Sequence, residues 1–429
     1  MLETVKEELF SESLKLKYKV APIDFTRKRK QPFPLILVFM LNMLRASLSL
    51  EIANFFSVLK VASGKKFTKS AFVQARKKIK PEVFKHLNQS LIGEFYTDND
   101  QGVKTWKGFR LLAVDGSRIT LPLTQELKGL YGQTKNQTST SIVQARCSVL
   151  YDLENNYILD GALGPISIGE RAMALSHFHY CKKGDVILYD LGYPSYDFIH
   201  QHIERDLDFL MRVRTNFSKA IAEFVCSTTY SQIIAIYPDK TTKLAAKPYD
   251  KKSALTVRLV KVVLCSGQTE ILITSLKDDK QYPNTIFKKL YNKRWGVETY
   301  YDQLKNKLNV EDFSGYSNQS IQQDFYAALL VSNIQRLIVG EVEEEINQQN
   351  KGRKYNYKVN TNLSYGFLKN KIIALLFNAH DTEQALQELR NLFKAHLIPV
   401  RPDRSFERNV GKYKVRIKPK ITKNHKDAL

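Results

Sequence analysis

The sequence predicts an α/β protein with a helical first part, a middle in which buried strands alternate with helices, and a helical end carrying a basic tail. Two observations carry that reading. Short apolar runs at residues 109–114 and 186–189 each stop at an aspartate, Asp115 and Asp190, as buried strands do where they leave a core. Elsewhere the spacing is helical, most clearly over residues 286–308, where Ile286, Leu290, Val297, Leu304 and Leu308 share one face. A chain of 429 residues has room for about three domains. The pattern places them at 1–104, 105–345 and 346–429.

The first part opens with a basic stretch, residues 15–30, ending in Arg27-Lys28-Arg29-Lys30, followed by apolar helices at 35–44 and 50–59. A turn at 62–64 leads to a helix at 68–79. Thr68 is its expected N-cap, with Phe67 and Phe72 as a hydrophobic staple. Lys69, Gln74, Arg76, Lys77 and Lys78 on this helix suit phosphate and base contacts, and the helix, turn and basic helix resemble a helix-turn-helix. An ordinary solvated amphipathic helix is the competing reading.

The middle part reads as a strand ending at Asp115, a short strand at 118–121, and a hairpin of strands 141–151 and 157–163. A helix at 168–180 then leads into the strand that ends at Asp190. Residues 191–195 read as a turn, with Ser195 capping a helix at 196–203. A strand at 208–213 brings out Arg212 and Arg214 as candidate DNA contacts. Alternating runs at 255–263 and 270–274 make 214–280 a mainly β insertion. The end of the chain holds an amphipathic helix at 381–397 and a tail, 401–429, with ten Lys and Arg against three Asp and Glu. Such a tail suits a DNA-binding arm or a solubilising one.

Composition narrows the partners. Lys plus Arg number 66 against 43 Asp plus Glu, a net charge of +23 and a pI near 9.6. That excess favours a polyanion, with a membrane surface as the rival. The apolar run at 35–44 is about half the ~20 residues a span requires, and Glu3, Glu7 and Glu8 stand where a signal peptide carries positive charge. The expected compartment is therefore the cytoplasm. Four widely spaced cysteines fit neither a zinc site nor a disulfide framework. Neither Gly-x-Ser-x-Gly nor a phosphate-binding GxxxxGK[ST] is present, and no triad-like arrangement is visible.

The chemistry concentrates in Tyr291-x2-Arg294-x3-Glu298-x6-Lys305. On one continuous helix these four side chains fall in a wedge roughly 60° wide, beside the apolar face. A carboxylate would then stand next to two cations. With Asp115 and Asp190 it makes a three-acid set, and hard divalent cations such as Mg²⁺ favour such oxygen ligands. The bland alternatives are a solvated helix face for the first motif and turn-forming roles for the two aspartates, Asp115-Gly116 being a hairpin signal.

These residues resemble the DDE transposases of bacterial insertion sequences, in particular the insertion-sequence-four group with its Tyr-Arg-Glu-Lys signature. The resemblance rests on Leu290–Lys305, on Ala113-Val-Asp-Gly-Ser117, on Ile187-Leu-Tyr-Asp-Leu-Gly-Tyr-Pro194 and on Thr68–Arg76, and it covers about residues 65–345. It implies an RNase H-like core of mixed sheet with a β insertion, and an N-terminal domain that recognises transposon ends. It implies Asp115, Asp190 and Glu298 as catalytic metal ligands for two Mg²⁺ ions, with Mn²⁺ able to substitute, ~3.5–4 Å apart. Tyr291, Arg294, Trp295, Lys305, Arg212, Arg76 and Lys77 become DNA contacts. The implied reaction is cut-and-paste transposition: nicking, hairpin formation and opening, then strand transfer. Its partners are double-stranded DNA with terminal inverted repeats, target DNA, and a second copy in a homodimer on paired ends, at the nucleoid. The insertion lacks the Trp that some relatives stack on a flipped base, so that role falls to Trp295, with Tyr230 or Tyr249. A nuclease that cuts without joining and a catalytically inactive DNA-binding regulator remain the alternatives.

Overall fold

The computed structural model describes residues 1–27, 31–60, 66–98, 102–135, 141–238, 247–264, 267–349, 352, 355–377 and 382–401. The run at 28–30, the turn at 62–64 and nearly all of the basic tail lie outside the described residues. The chain forms two compact units. One comprises Met1–Asp100, Arg118–Ala145 and Asp302–Leu429; the other comprises Gln101–Ser117 and Arg146–Tyr301. The helices near the two ends of the chain thus belong to one compact unit.

The strands are β1 (Arg110–Thr120), β2 (Gln133–Lys135), β3 (Ser141–Asp152), β4 (Ile158–Pro165), β5 (Asp185–Tyr189), β6 (Asp208–Val213), β7 (Ser231–Ile236), β8 (Leu255–Val263) and β9 (Thr269–Thr274). They form a nine-stranded mixed sheet in the order β2-β3-β1-β5-β6-β9-β8-β7, with β4 on β3. The centre, β1-β5-β6, is parallel. Such strands are covered on both faces, which is why β1 and β5 read as near-continuous apolar runs; Leu111, Leu112, Ala113 and all of Val186–Tyr189 are fully buried.

One expectation changes here. β1 runs unbroken through Asp115-Gly116, so the strand expected at 118–121 is its continuation and no hairpin forms there. The strands expected at 255–263 and 270–274 form as β8 and β9. β9 pairs antiparallel with β6, β8 with β9 and β7 with β8, so these strands extend the main sheet. Edge hydrogen-bonding groups of β6 would otherwise go unpaired.

In the other unit, the 32-residue helix Asn318–Gln349 is apolar around most of its circumference, as suits a helix buried on several sides. By length and composition it could cross a membrane, but 78% of its most apolar window is buried in the fold. Helix Phe33–Leu41 is buried along eight of its nine residues. Asn42, which follows it, is fully buried and exchanges hydrogen bonds with Asn370 at 2.8 and 3.1 Å. Asn370 adopts φ +67° and breaks the helix Thr361–Phe377. Thr68 caps Lys69–Arg76 by accepting from the Ala71 amide at 3.2 Å, and Phe67 stacks on Phe72 at 6.1 Å, as the sequence predicts.

Candidate active site

The sheet register brings two of the acids together. Parallel β1 and β5 pair Ala113 with Leu188; continuing two residues sets Asp115 beside Asp190, where neighbouring strands lie about 4.8 Å apart. Asp190 directly follows β5, and Asp115 lies just past the part of β1 that pairs with it, on the carboxyl side of the parallel strands, where α/β sheets bind ligands.

Glu298 arrives differently from the expectation. Residues 286–308 are two helices, Asn284–Asn292 and Trp295–Asn306. Between them the amides of Lys293, Arg294, Gly296 and Val297 each bond three residues back, a tight turn where one continuous helix was expected. The second helix approaches the β3–β4 turn closely at Gly296: a Cβ there would stand 2.9 Å from Leu153 Cδ2. Tyr300 stacks on Tyr151 at 5.4 Å, and the Tyr301 hydroxyl donates to the Asp115 carbonyl at 2.8 Å. These contacts fix the first turn, where Glu298 sits.

Asp115 is the buried member of the set. Burial pushes its carboxyl up from 3.8 to about 6; the Gly116 amide, which donates to Oδ1 at 2.8 Å, and the charge of Arg294 pull the other way, while Glu298 and Asp190 raise it further as like charges. All three acids therefore share one electrostatic neighbourhood. Arginines neutralise two of them: Arg212 pairs with Asp190 at 3.1 Å and Arg294 with Glu298 at 2.6 Å. Arg294 is buried and flanked by the rings of Tyr291 and Trp295, at 5.6 and 5.4 Å. The Tyr291 hydroxyl faces the Tyr189 carbonyl at 3.3 Å and Asp190 at 3.5 Å, and burial pushes its pKa up, keeping the phenol protonated.

Among the described residues, no three His, Cys, Asp or Glu side chains are gathered tightly enough to share one metal ion. The donors nevertheless suit a hard cation: they are carboxylate oxygens, they sense one another's charge, and the guanidiniums beside them show how strongly that charge calls for a cation.

The expected DNA contacts divide. Trp295 is 46% exposed, which argues against a core-packing role, whereas Tyr249 is buried with its hydroxyl on Asp197 at 2.9 Å. Tyr230 is exposed, as are Arg214 and Lys77. Lys305 lies in the last turn of Trp295–Asn306. Arg76 needs correction. Its guanidinium is buried and bonds Asp324, Gln323 and Ser314 at 2.8, 2.9 and 2.7 Å, so it holds the helical core together and faces no solvent.

The structure adds residues the sequence did not signal. Arg146 on β3 pairs with Glu170 at 2.5 Å. A buried Ser148–His177–Asp160 chain, at 2.9 and 2.7 Å, has triad-like connectivity that sequence reading missed. With exposures of 2, 0 and 3%, it ties strands to a helix and reaches no substrate.

A family model described as the transposase DDE domain matches residues 106–334. Transposase InsG for insertion sequence element IS4, from Escherichia coli (strain K12), is 21% identical over 295 residues, covering 65% of this chain and 62% of that protein. The "Putative transposase y4zB" of Sinorhizobium fredii (strain NBRC 101917 / NGR234) is 23% identical over 192 residues, 44% of this chain and 49% of that one. The chain thus spans less than two thirds of either relative. A solved piggyBac transposase synaptic complex with hairpin DNA aligns over 94% of this chain and 87% of that chain, at 12% identity and a TM-score of 0.46.

Proposed function

The chain belongs to the DDE transposase family and is similar to transposases of the IS4 kind; from that premise we propose that it cuts and rejoins DNA at the ends of an insertion sequence, by phosphoryl transfer at Asp115, Asp190 and Glu298. The observation that carries the reading is the register that leads Asp115 and Asp190 side by side out of β1 and β5, with Arg212 on Asp190 at 3.1 Å and Arg294 on Glu298 at 2.6 Å. In this reading the three carboxylates hold divalent Mg²⁺. When bound, the metal supplies an acidified water or 3′-hydroxyl nucleophile and charge stabilisation for the departing oxygen.

The protein's own side chains do the rest. Arg294, stiffened between two aromatic rings, releases Glu298 and turns to a phosphate oxygen. Arg212 does the same from Asp190. Tyr291 holds Asp190 in orientation, and Trp295, exposed beside Arg294, stacks on or wedges against a base near the cut end. Lys305 and Lys77 are further contacts to the DNA backbone in this proposal. No nucleophilic Ser or Cys is required. In full, the proposal is cut-and-paste transposition with a hairpin intermediate, on paired inverted repeats, by a homodimer at the nucleoid, in an RNase H-like core.

The test is strand transfer with precleaved inverted-repeat ends taken from the DNA flanking the gene, in Mg²⁺. Joined product is expected. Nicking of uncleaved ends with no joined product would reduce the protein to a nuclease.

A further inference from the structure

Three arginines in the sheet-bearing unit share an unusual condition. Arg146, Arg212 and Arg294 each have a buried Nε without a hydrogen-bond partner among the described residues, and each is paired through its Nη atoms to a carboxylate: Glu170, Asp190 and Glu298. A buried guanidinium N–H with no acceptor is costly and calls for an explanation. Arg212 and Arg294 already belong to the proposed site. Arg146 has been given no role.

Its partner lies against the turns that carry the acids. A Cβ on Gly116, next to Asp115, would stand 3.2 Å from Glu170 Cγ, and one on Gly192, two residues after Asp190, would stand 3.5 Å from Glu170 Oε2. Tyr193 joins the two features. Its hydroxyl is buried with no partner among the described residues, in a residue 1% exposed. The charges acting on it are those of Asp115, Glu170, Arg146 and Asp190. Arg146 and Glu170 therefore form a third acid–arginine couple of the same site, bordering Asp115.

We propose that Arg146 is a phosphate-binding residue of this site and that Glu170 is its exchangeable counter-ion, released when a DNA phosphate takes its place. The Arg146 side chain is 16% exposed and Glu170 43% exposed, so a strand can reach the pair without unfolding anything. A guanidinium offers five donors in a rigid fork, enough to keep a backbone bond to the Ile166 carbonyl, 3.4 Å away, while presenting the rest to a phosphate. The arrangement repeats on a third arginine what Arg294 and Arg212 are proposed to do, so the inference rests on the phosphoryl-transfer reading for its location. It does not rest on that reading for its test.

The test is DNA binding by the full chain, measured by fluorescence anisotropy of a labelled duplex across salt concentrations without divalent metal. Arg146→Ala is expected to weaken binding several-fold and to flatten the slope of log K against log salt by about one contact, ~0.9. Arg146→Lys should keep most of the slope. Glu170→Gln, which removes the competing charge and keeps an acceptor for Arg146, is expected to tighten binding. A merely structural pair predicts that both substitutions lower thermal stability and leave DNA binding alone; that result, or a loss of affinity in Glu170→Gln, overturns the proposal. Failure of the catalytic reading would show as absent Mg²⁺-dependent nicking by the wild-type chain and not in these metal-free slopes.

Discussion

Asp115 is the residue whose charge its surroundings contest most. Burial holds its carboxyl at about 6 against the usual 3.8, in spite of the Gly116 amide and Arg294. The folded state thus binds a proton more readily than the unfolded chain. Its stabilising contribution is present below pH ~4 and lost as pH rises through about 6, so the ionised form costs about 3 kcal/mol at neutral pH. Asp115→Asn is accordingly expected to raise the Tm at pH 7, with the gain fading by pH 4. At subsaturating Mg²⁺, where metal and proton compete for the carboxylate, metal-dependent nicking should follow the opposite course in the wild type, falling as pH drops below 6 and recovering as Mg²⁺ is raised. A nicking rate flat from pH 5 to 8, or a destabilised Asp115→Asn, would contradict this account of the site. His202 slopes the other way: burial lowers it to about 4, so its contribution is lost as pH falls through that value. At this scale Asp115 and Asp190 stand out in sequence because each ends an apolar run, and Glu298 because of its spacing from Tyr291, Arg294 and Lys305. Arg146 and Glu170 do not, since a single charged residue on a strand and another opening a helix leave no signal. Arg76 was misread because sequence does not distinguish a guanidinium facing solvent from one folded onto Asp324.

Among the elements, helix Trp295–Asn306 bears most directly on function, and its placement depends on Gly296. A methyl group there would meet Leu153 at 2.9 Å. Gly296→Ala gains helix propensity of up to about 1 kcal/mol but forces overpacking of about 1–3 kcal/mol. The expected result is a modest change in Tm and a fall in nicking of tenfold or more, because a displaced helix carries Glu298 away from Asp115. Adding Leu153→Ala should restore part of the rate; no rescue would mean that the glycine acts in some other way. The apolar spacing over residues 286–308 was readable because it survives the tight turn at Lys293 and Arg294, but that turn was not. Lys293 keeps nearly helical backbone angles through its 3-residue bond, and Gly296 by itself is no signal of a break. The same holds for β1, where Asp115-Gly116 carries a hairpin signal yet the strand runs straight through it.

Over the whole molecule, sequence order and spatial order part company. The alternation of strands and helices was legible from 105 to 213, since each strand is short, apolar and bounded. The assembly of Met1–Asp100 with Asp302–Leu429 in one unit was not, since nothing local in the helix Phe33–Leu41 says which distant helix will cover it. The +23 charge remains the broadest functional signal, fitting a chain that works on a polyanion. In the proposed function, what turns a DNA-binding surface into a transposase is one cation-dependent centre formed by Asp115, Asp190 and Glu298. Asp190→Asn tests that centre most directly, by end-DNA binding and Mg²⁺-dependent nicking measured side by side. The account predicts binding within about twofold of the wild type and no detectable nicks; nicking at an undiminished rate would remove Asp190 from the chemistry and the centre with it.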